Sequence, residues 1–316
     1  MSKADTNIHL GMGPTPRWAF SEYERVRHRL PAPPTHAVVP EQVPSLAALE
    51  PFFDAFIFDA FGVLNIGEQA LPGALARVEH LLAINKRCLI LSNAATASTQ
   101  ALLLKHQTMG FALEEDQLIS SRWLLEESLE TAKKPGLWGV IAPLEANPQT
   151  LPVNYTLIQG RPDAGMREQM DRCDGFILLS SQGWDTAHQA LLEASLAEYP
   201  RPVEVANPDI VAPRATELSL EPGFFAHRLA DKTGVTPVFY GKPFLPAYHA
   251  ALDRLEGIPR DRILMVGDTL HTDILGGQNA GVHTLLVTAH GALKGLDVDT
   301  CMQRSGIYPH YIAPEI

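Results

Sequence analysis

The sequence has few cysteines, no long apolar run and no excess of basic residues. Its three cysteines, Cys88, Cys173 and Cys301, are far apart and odd in number, which excludes a disulfide framework or a CxxC metal site and indicates reduced thiols. It contains no apolar stretch of about 18 residues, and its N-terminus lacks the apolar core of a signal peptide. We therefore expect a cytoplasmic protein that does not associate with a membrane.

The balance of charge argues against a nucleic-acid partner. The 316 residues include 25 Lys and Arg against 36 Asp and Glu, which gives a formal net charge of −11. Proteins that bind a phosphate backbone need clustered Lys and Arg. Because 46% of the residues are hydrophobic, the chain can bury a sizeable core, and its length predicts two domains or one domain with an insertion.

Proline is abundant near the N-terminus, where it flanks a short segment of helical pattern, AFSEYERVRHRL. Because proline cannot donate a hydrogen bond within a helix or a sheet, we expect residues 1–44 to form an extension that wraps the surface. An oligomer contact or a flap over the active site is the alternative role for such an arm.

Short apolar runs bounded by turn residues alternate with amphipathic segments along the rest of the chain. Among these runs are AFIFD, CLILSN, PVFYGKP, RILMVGD and HTLLVTA. The pattern predicts strands buried on both faces and joined by helices into a parallel α/β sheet. Ligands bind beyond the carboxyl ends of such strands. Polar residues follow four of the runs at this edge, namely Asp59, Ser92 with Asn93, Lys242 and Asp268.

These polar residues have the chemistry of a magnesium and phosphate site. Asp59, Asp268 and Asp273 offer carboxylate oxygens, which Mg²⁺ accepts alongside water and substrate phosphate. Lys242 would offset the phosphate charge, and Asp59 has the chemistry of a covalent nucleophile. Each residue alone is also explained as a cap or a turn, but that explanation does not account for their convergence on one edge.

Four segments, in chain order, resemble the haloacid dehalogenase (HAD) superfamily, and specifically its subclass IIA, the NagD-like or p-nitrophenylphosphatase-like enzymes. The segments are DAFGVLNIGEQALPGA, LSNAAT, YGKP and GDTLHTDILGGQNAGV, and the sequence ANPDIVAP is a feature of the same branch. The resemblance covers residues 52 to 292, and its motifs are specific in combination.

The resemblance implies an α/β fold with a Rossmann-like, doubly wound parallel sheet as its core. We expect this core at residues 45–121 and 214–316, and an inserted α/β type II cap at residues 122–213 that closes over the site. Caps of this type often mediate dimers in the family, so a homodimer through the cap is a further expectation.

The resemblance also implies a role for each motif residue. Asp59 corresponds to the nucleophile and, together with the backbone carbonyl of Phe61, to a ligand of Mg²⁺. Lys242 corresponds to the catalytic lysine of the third motif. Asp268 and Asp273 correspond to the acidic fourth motif, which holds Mg²⁺ directly or through water. The residues assigned to the substrate and its phosphate are Ser92, Asn93, Asn207 and Asp209.

Phe61 is the main departure from the pattern of this family. The phosphatases have an aspartate at this position, which protonates the leaving group and then activates water. The segment FDAFGVL is instead similar to FDAYGTL of the haloacid dehalogenases, in which the departing halide needs no proton. Asp185 and Asp209 of the cap are candidates for supplying the proton. His271 stands where another acidic residue is common, and we expect a solvated loop histidine.

Three functions are compatible with these residues. A Mg²⁺-dependent phosphatase or phosphotransferase, which acts on a small phosphorylated metabolite through an aspartyl-phosphate, is favoured because dehalogenases do not need the acidic fourth motif. The alternatives are a dehalogenase-like or phosphonatase-like hydrolase and a catalytically silent ligand-binding protein. General acid–base catalysis contributes about 10²–10⁴-fold, and charge stabilisation usually contributes more. Without an acid at position 61, the enzyme should therefore be slowed but not silenced, and should prefer good leaving groups.

Overall fold

The structure, a computed structural model, describes residues 14–35, 38–214 and 217–316. Parts of the predicted N-terminal extension, residues 1–13 and 36–37, lie outside the described residues, as do residues 215–216. The helices are α1 (Pro16–Arg25), α2 (Ala74–Ala83), α3 (Thr99–Thr108), α4 (Ser121–Ala132), α5 (Ala164–Asp171), α6 (Thr186–Glu198), α7 (Pro222–Thr233), α8 (Leu245–Asp253), α9 (Leu275–Asn279) and α10 (Val298–Ser305). The strands are β1 (Glu41–Gln42), β2 (Ala55–Phe58), β3 (Asn65–Ile66), β4 (Gln69–Ala70), β5 (Arg87–Ser92), β6 (Leu118–Ser120), β7 (Trp138–Ile141), β8 (Tyr155–Leu157), β9 (Gly175–Leu178), β10 (Val203–Val205), β11 (Val211–Pro213), β12 (Leu218–Leu220), β13 (Val238–Phe239), β14 (Ile263–Gly267), β15 (His283–Val287) and β16 (Tyr311–Ala313).

The larger sheet forms the core and confirms the predicted α/β fold. Within the described residues its strand order is β1-β16-β15-β14-β2-β5-β6, and the neighbouring strands pair in parallel. Phe58 at the end of β2 pairs with Val266 on one side and with Ile90 on the other. The residues that follow these three strands therefore meet at one carboxyl edge, as predicted for three of the four runs. The fourth run, which leads to Lys242, forms β13 in the second sheet, so the prediction that it belongs to the same sheet is wrong.

A second parallel sheet has the order β13-β10-β9-β7-β8 in the described part of the chain. Its edge strand β13 pairs with β10 through the registers Glu204 with Val238 and Val205 with Phe239. This strand follows the predicted end of the cap at residue 213, and α7, which comes before it, packs against α6. We therefore propose that the cap segment continues from residue 122 to residue 239, rather than ending at residue 213.

The helix boundaries follow from local sequence. Ser98 and Ser120 accept hydrogen bonds from the first turns of α3 and α4, as N-cap residues do. Helix α7 starts with Pro222 and is followed by Gly234, whose φ of +73° is accessible to glycine without strain. None of the described helices combines the length and the apolar character needed to cross a membrane.

The N-terminal helix α1 is built into the hydrophobic core and does not only wrap the surface. Its residues Ala19, Phe20 and Tyr23 are buried in a cluster that also contains Phe176 of the second sheet and Leu286 of the larger sheet. The arm and both sheets therefore contribute residues to one hydrophobic cluster.

Candidate active site

Strand β2 places Asp59 at the carboxyl edge of the larger sheet. All four residues of this strand are buried, and the Asp59 backbone N–H extends the pairing with β14 by donating to the Val266 carbonyl at 2.9 Å. The Ala60 N–H donates to Oδ1 of the Asp59 carboxylate at 2.7 Å. The side chain of Asp59 is 14% exposed, so a ligand is able to reach it although its position is fixed.

Lys242 links this aspartate to the fourth motif. Its Nζ lies 2.6 Å from Oδ1 of Asp59 and 2.8 Å from Oδ1 of Asp273. Burial opposes the charge of Lys242, but the carboxylates of Asp273 and Asp59 outweigh burial and raise its pKa above the usual value. Burial raises the pKa of Asp59 to about 7, and the Lys242 charge acts against this rise. Lys242 is therefore a permanent cation in the site.

Three carboxylates lie close together beside this lysine. One oxygen each of Asp59, Asp268 and Asp273 can be chosen so that all three lie within 4.8 Å of one another. With all three ionised, the cluster and Lys242 carry a net charge of −2. Burial, followed by the charges of Asp59 and Asp273, raises the pKa of Asp268 well above its usual value. Such a concentration of buried negative charge is costly without a further cation.

The donor atoms fit a hard divalent cation. Oδ1 of Asp273 is buried and accepts no well-directed hydrogen bond from a described residue, although Lys242 lies nearby. The Phe61 carbonyl also has no hydrogen-bond donor among the described residues. The next residue, Gly62, lies against the Asp268 carboxylate, since a Cβ on Gly62 would be 2.3 Å from Oδ2 of Asp268. Carboxylate and carbonyl oxygens of this kind are the ligands that Mg²⁺ prefers.

The fourth motif holds its two aspartates in different ways. The chain forms a buried π-helical turn at Leu270–Ile274, an irregularity frequent at functional sites. Oδ2 of Asp273 accepts from the backbone N–H groups of Asp268 and Thr269 at 3.2 and 3.1 Å, so only Oδ1 is left for the site. Oδ2 of Asp268 accepts from the Ala292 N–H at 2.8 Å.

The second motif, Ser92 and Asn93, lies at the end of β5 and contacts Lys242 of the third motif. Ser92 and Asn93 are buried, and the Ser92 hydroxyl accepts from the Ala94 N–H at 3.2 Å. The Asn93 side chain accepts from the Lys242 N–H at 2.8 Å and donates to the Lys242 carbonyl at 3.0 Å. The same Asn93 amide nitrogen donates to Oδ1 of Asp209 at 2.8 Å. The structure thus brings these predicted residues together, and their roles in phosphate binding stay predictions.

The segment Asn207–Asp209, called the cap loop below, lies against the core motifs. Oδ1 of Asn207 accepts from the Asp209 N–H at 2.9 Å, and its amide nitrogen donates to Glu221 at 3.1 Å. Both polar atoms of the Asn207 side chain are thus engaged in holding the loop, and its assignment to substrate binding stays a prediction. Pro208 approaches Gly241, since a Cβ on that glycine would be 3.0 Å from Cδ of the proline.

The Phe61 side chain is partly buried and packs against a core cluster of the larger sheet. The Lys105 ammonium group of α3 lies 5.2 Å from the centroid of the Phe61 ring, within the range of a cation–π contact. Position 61 therefore contributes packing and a carbonyl oxygen, but no proton donor.

The expectation that His271 is a solvated loop residue is wrong. Its side chain is 1% exposed, and its ring stacks on Tyr23 of α1 with centroids 4.9 Å apart and an interplanar angle of 8°. Nε2 of His271 lies 2.6 Å from Oε1 of Glu24. The contact joins residues 247 positions apart in the chain, so the local sequence could not reveal it.

Sequence reasoning also missed that Tyr23 reaches the cap loop. The backbone N–H of Ile210, directly after Asp209, donates to the Tyr23 hydroxyl at 3.2 Å. Tyr23 therefore contacts the fourth motif through His271 and the cap loop through Ile210. The only signal in the sequence was that Phe20 and Tyr23 fall three residues apart, on one face of a helix.

Asp185, the other cap carboxylate considered as a proton donor, is an N-cap residue. It caps α6 by accepting from the N–H groups of Ala187 and His188 at 2.9 and 3.0 Å. Its side chain is 64% exposed and lies 2.6 Å from the His188 ring. These contacts account for Asp185 as an N-cap residue.

Comparison with known proteins supports the interpretation of these motifs. A family model described as haloacid dehalogenase-like hydrolase matches residues 56–147, and one described as HAD-hydrolase-like matches residues 239–315. Chronophin of Homo sapiens is 29% identical over 282 residues, with 82% of this chain and 90% of chronophin covered. The chloroplastic phosphoglycolate phosphatase 1A of Arabidopsis thaliana is 28% identical over 275 residues, with 79% of this chain and 73% of that protein covered.

A solved structure extends the likeness to the whole fold. The crystal structure of a possible sugar phosphatase from Cytophaga hutchinsonii superposes with a TM-score of 0.75 at 26% identity, and covers 88% of this chain and 98% of that one. The first family match includes Asp59 after β2, and the second includes Lys242, Asp268 and Asp273. The chain therefore belongs to the haloacid dehalogenase superfamily.

Proposed function

We propose that this protein is a Mg²⁺-dependent phosphatase that acts on a small phosphorylated metabolite through an aspartyl-phosphate on Asp59. The observation that carries the proposal is the placement of Asp59 within 2.6 Å of a buried lysine and beside two further carboxylates at the carboxyl edge of the sheet. The relatives named as phosphatases support the same class of reaction.

Asp59, Lys242 and Asn93 have separate roles in phosphoryl transfer. Asp59 attacks phosphorus, the alcohol leaves, and water then hydrolyses the acyl phosphate. Lys242 offsets the negative charge of the phosphoryl group and holds Asp59 in place. Asn93 fixes the third motif beside the second by its two hydrogen bonds to the Lys242 backbone.

The metal would be held by the acidic cluster and the Phe61 carbonyl. A bound Mg²⁺ would neutralise the net charge of −2 and provide positive charge for the phosphate. Asp59, Asp268 and Asp273 supply the carboxylate oxygens, and Oδ1 of Asp273 is the buried atom that still lacks a directed hydrogen bond.

Phe61 keeps a dehalogenase-like or phosphonatase-like hydrolase as the second candidate, because position 61 supplies no acid. The acidic cluster argues against carbon–halogen chemistry, since displacement of a halide by a carboxylate uses no divalent cation. A catalytically silent binding protein would not need Asp59 to be partly exposed and in contact with a charged lysine.

The test is a panel of phosphate esters assayed for phosphate release with Mg²⁺ and with a chelator, beside a phosphonate and a 2-haloacid assayed for release of phosphate and halide. We expect phosphate release from at least one ester in Mg²⁺ and none with the chelator. Halide release that persists with the chelator would favour the dehalogenase-like candidate. Absence of turnover on the whole panel would favour a binding protein.

Two further properties belong to this proposal. We expect a homodimer formed through the cap, which analytical ultracentrifugation would detect. We also expect a cytoplasmic location, which fractionation of cells that express the full chain would test.

A further inference from the structure

We propose that Asp209 of the cap loop is the general acid of the phosphatase, in place of the carboxylate that Phe61 lacks. This inference rests on the proposed function and adds to it the residue that protonates the leaving group. It assigns a catalytic role to a residue of the cap loop that contacts Asn93 of the core.

The first support is the position of the cap loop against the core. Oδ1 of Asp209 accepts from the Asn93 amide at 2.8 Å, and Asn93 holds the backbone of Lys242. Lys242 in turn lies 2.6 Å from Asp59. Asp209 is thus linked to the nucleophile through Asn93 and Lys242.

The second support is the rigidity of the loop. A Cβ on Gly223 would lie 2.1 Å from the Pro208 carbonyl oxygen, so α7 packs directly on the loop backbone. The backbone N–H of Asp209 donates to Asn207, and that of Ile210 donates to Tyr23. These bonds fix the loop backbone, and the hydrogen bond from the Asn93 amide to Oδ1 orients the carboxyl group, as a proton donor requires.

The third support is that the two carboxyl oxygens of Asp209 differ in their hydrogen bonding. Oδ1 is an acceptor because the Asn93 amide donates to it. No described side chain or backbone group hydrogen-bonds Oδ2, and Asp209 is only partly buried. A proton carried by this carboxyl group would therefore sit on Oδ2, where a leaving oxygen could receive it.

The charges around Asp209 favour its protonated form near neutral pH. Burial raises the pKa of Asp209 to about 8, and the carboxylates of Asp59 and Asp273 act in the same direction. The Lys242 charge and the hydrogen bond from Asn93 oppose the rise without cancelling it. Two further titratable groups lie beside the loop. The Tyr23 hydroxyl has a pKa raised by burial and is neutral in this range, and Glu221, which accepts from Asn207, also has a pKa raised by burial.

The chemical step balances with the residues named. The Asp59 carboxylate forms a bond to phosphorus while the bond from phosphorus to the ester oxygen breaks. The Asp209 proton passes to the departing oxygen, which leaves as an alcohol, and Asp209 is left as a carboxylate. When water attacks the aspartyl-phosphate, Asp209 takes up the proton of that water, and both side chains return to their starting states.

The experiment compares Asp209→Asn with the parent by measuring kcat/KM for p-nitrophenyl phosphate and for alkyl phosphates in Mg²⁺. This ratio includes only the steps up to departure of the alcohol, so it isolates protonation of the leaving group. We expect kcat/KM for alkyl phosphates to fall about 10²-fold or more, the usual range for loss of a general acid, and that for p-nitrophenyl phosphate to fall less than about threefold. The retained aryl activity shows that the variant is folded.

The pH profile provides a second readout. In the parent, kcat/KM for alkyl phosphates should fall as the pH rises through the titration of Asp209, because the acid must be protonated to act. In Asp209→Asn this alkaline decline should disappear. The matched control is Asp185→Asn, which changes an exposed cap carboxylate and keeps an N-cap side chain, and it should leave both substrates and the profile unchanged.

Each other outcome overturns the proposal. Equal losses on aryl and alkyl phosphates would make Asp209 a binding or structural residue, and no loss would remove it from the reaction, while the phosphatase function would stand in both cases. A parent without phosphatase activity on either class would overturn the proposed function itself.

Discussion

Replacing Lys242 by methionine should destabilise the fold, because this lysine is the cation closest to a buried acidic cluster. Its Nζ lies 2.6 and 2.8 Å from carboxylate oxygens of Asp59 and Asp273. At an effective dielectric constant of about 20, each contact corresponds to about 6 kcal/mol of gross attraction, much of which is offset by desolvation. Breaking a buried pair by removal of one partner costs about 3–5 kcal/mol, and we expect Lys242→Met to lose that much.

The assay is urea unfolding of the parent and of Lys242→Met in a chelator, so that no divalent cation replaces the lost charge. Lys232→Met, at an exposed position of α7, is the control and should unfold as the parent does.

The loss should depend on pH, because without the lysine the pKa of Asp59 should rise further above that of the unfolded chain, which is about 3.9. A group with a raised folded pKa stabilises the fold at low pH, and this stability is lost as the pH rises through the folded pKa. The pKa of Asp59 is already about 7 in the parent. The difference in unfolding free energy between Lys242→Met and the parent should therefore be larger at pH 8 than at pH 5. A loss below about 1 kcal/mol, or one that is the same at both pH values, would refute the reasoning.

Two further substitutions test the surroundings of the site. Gly291→Ala should raise the Mg²⁺ concentration needed for half-maximal activity at least about tenfold, because its Cβ would lie 1.6 Å from Oδ2 of Asp268 and must displace a metal ligand. The control is Gly295→Ala, since Gly295 has a similar φ of +77° but no neighbour within 4 Å of an added Cβ. It should show only the backbone strain of about 1–2 kcal/mol and an unchanged Mg²⁺ titration. Equal Mg²⁺ titrations for the two variants would contradict the clash with Asp268. Tyr23→Phe should keep the stacking on His271 but leave the buried Ile210 N–H unpaired. The loss should lower the free energy of unfolding in urea by about 1–3 kcal/mol and raise KM. An unchanged KM would show that the arm does not position the cap loop.

The central residues of the site could be predicted because strand burial and motif order are local properties of the sequence. The run AFIF is apolar on both faces, so β2 had to lie inside the sheet, and Asp59 then had to emerge at its carboxyl edge. Asp268 follows the fully buried strand β14 for the same reason, whereas Lys242 follows β13, a largely unburied edge strand of the second sheet, so burial does not explain its position. The parallel register makes these ends coincide, since Phe58 pairs with Val266 and Ile90.

The contacts of the N-terminal arm could not be predicted because they depend on tertiary packing. His271 is polar and lies in a loop-like segment, which suggested a solvated side chain. Its burial results from Phe20, Tyr23 and Glu24, which arrive from the other end of the chain. The interaction between Asn93 and Asp209 likewise joins residues 116 positions apart. No local propensity encodes such pairs.

The most direct measurement of the central claim is mass spectrometry of the protein quenched in acid during turnover of a phosphate ester in Mg²⁺. We expect one added phosphoryl group on the peptide that contains Asp59. It should be absent when a chelator replaces Mg²⁺ and absent in Asp59→Asn, which should also release no phosphate. Phosphate release by the parent without any labelled peptide, or release by Asp59→Asn at more than a tenth of the parent rate, would contradict the assignment of Asp59 as the nucleophile.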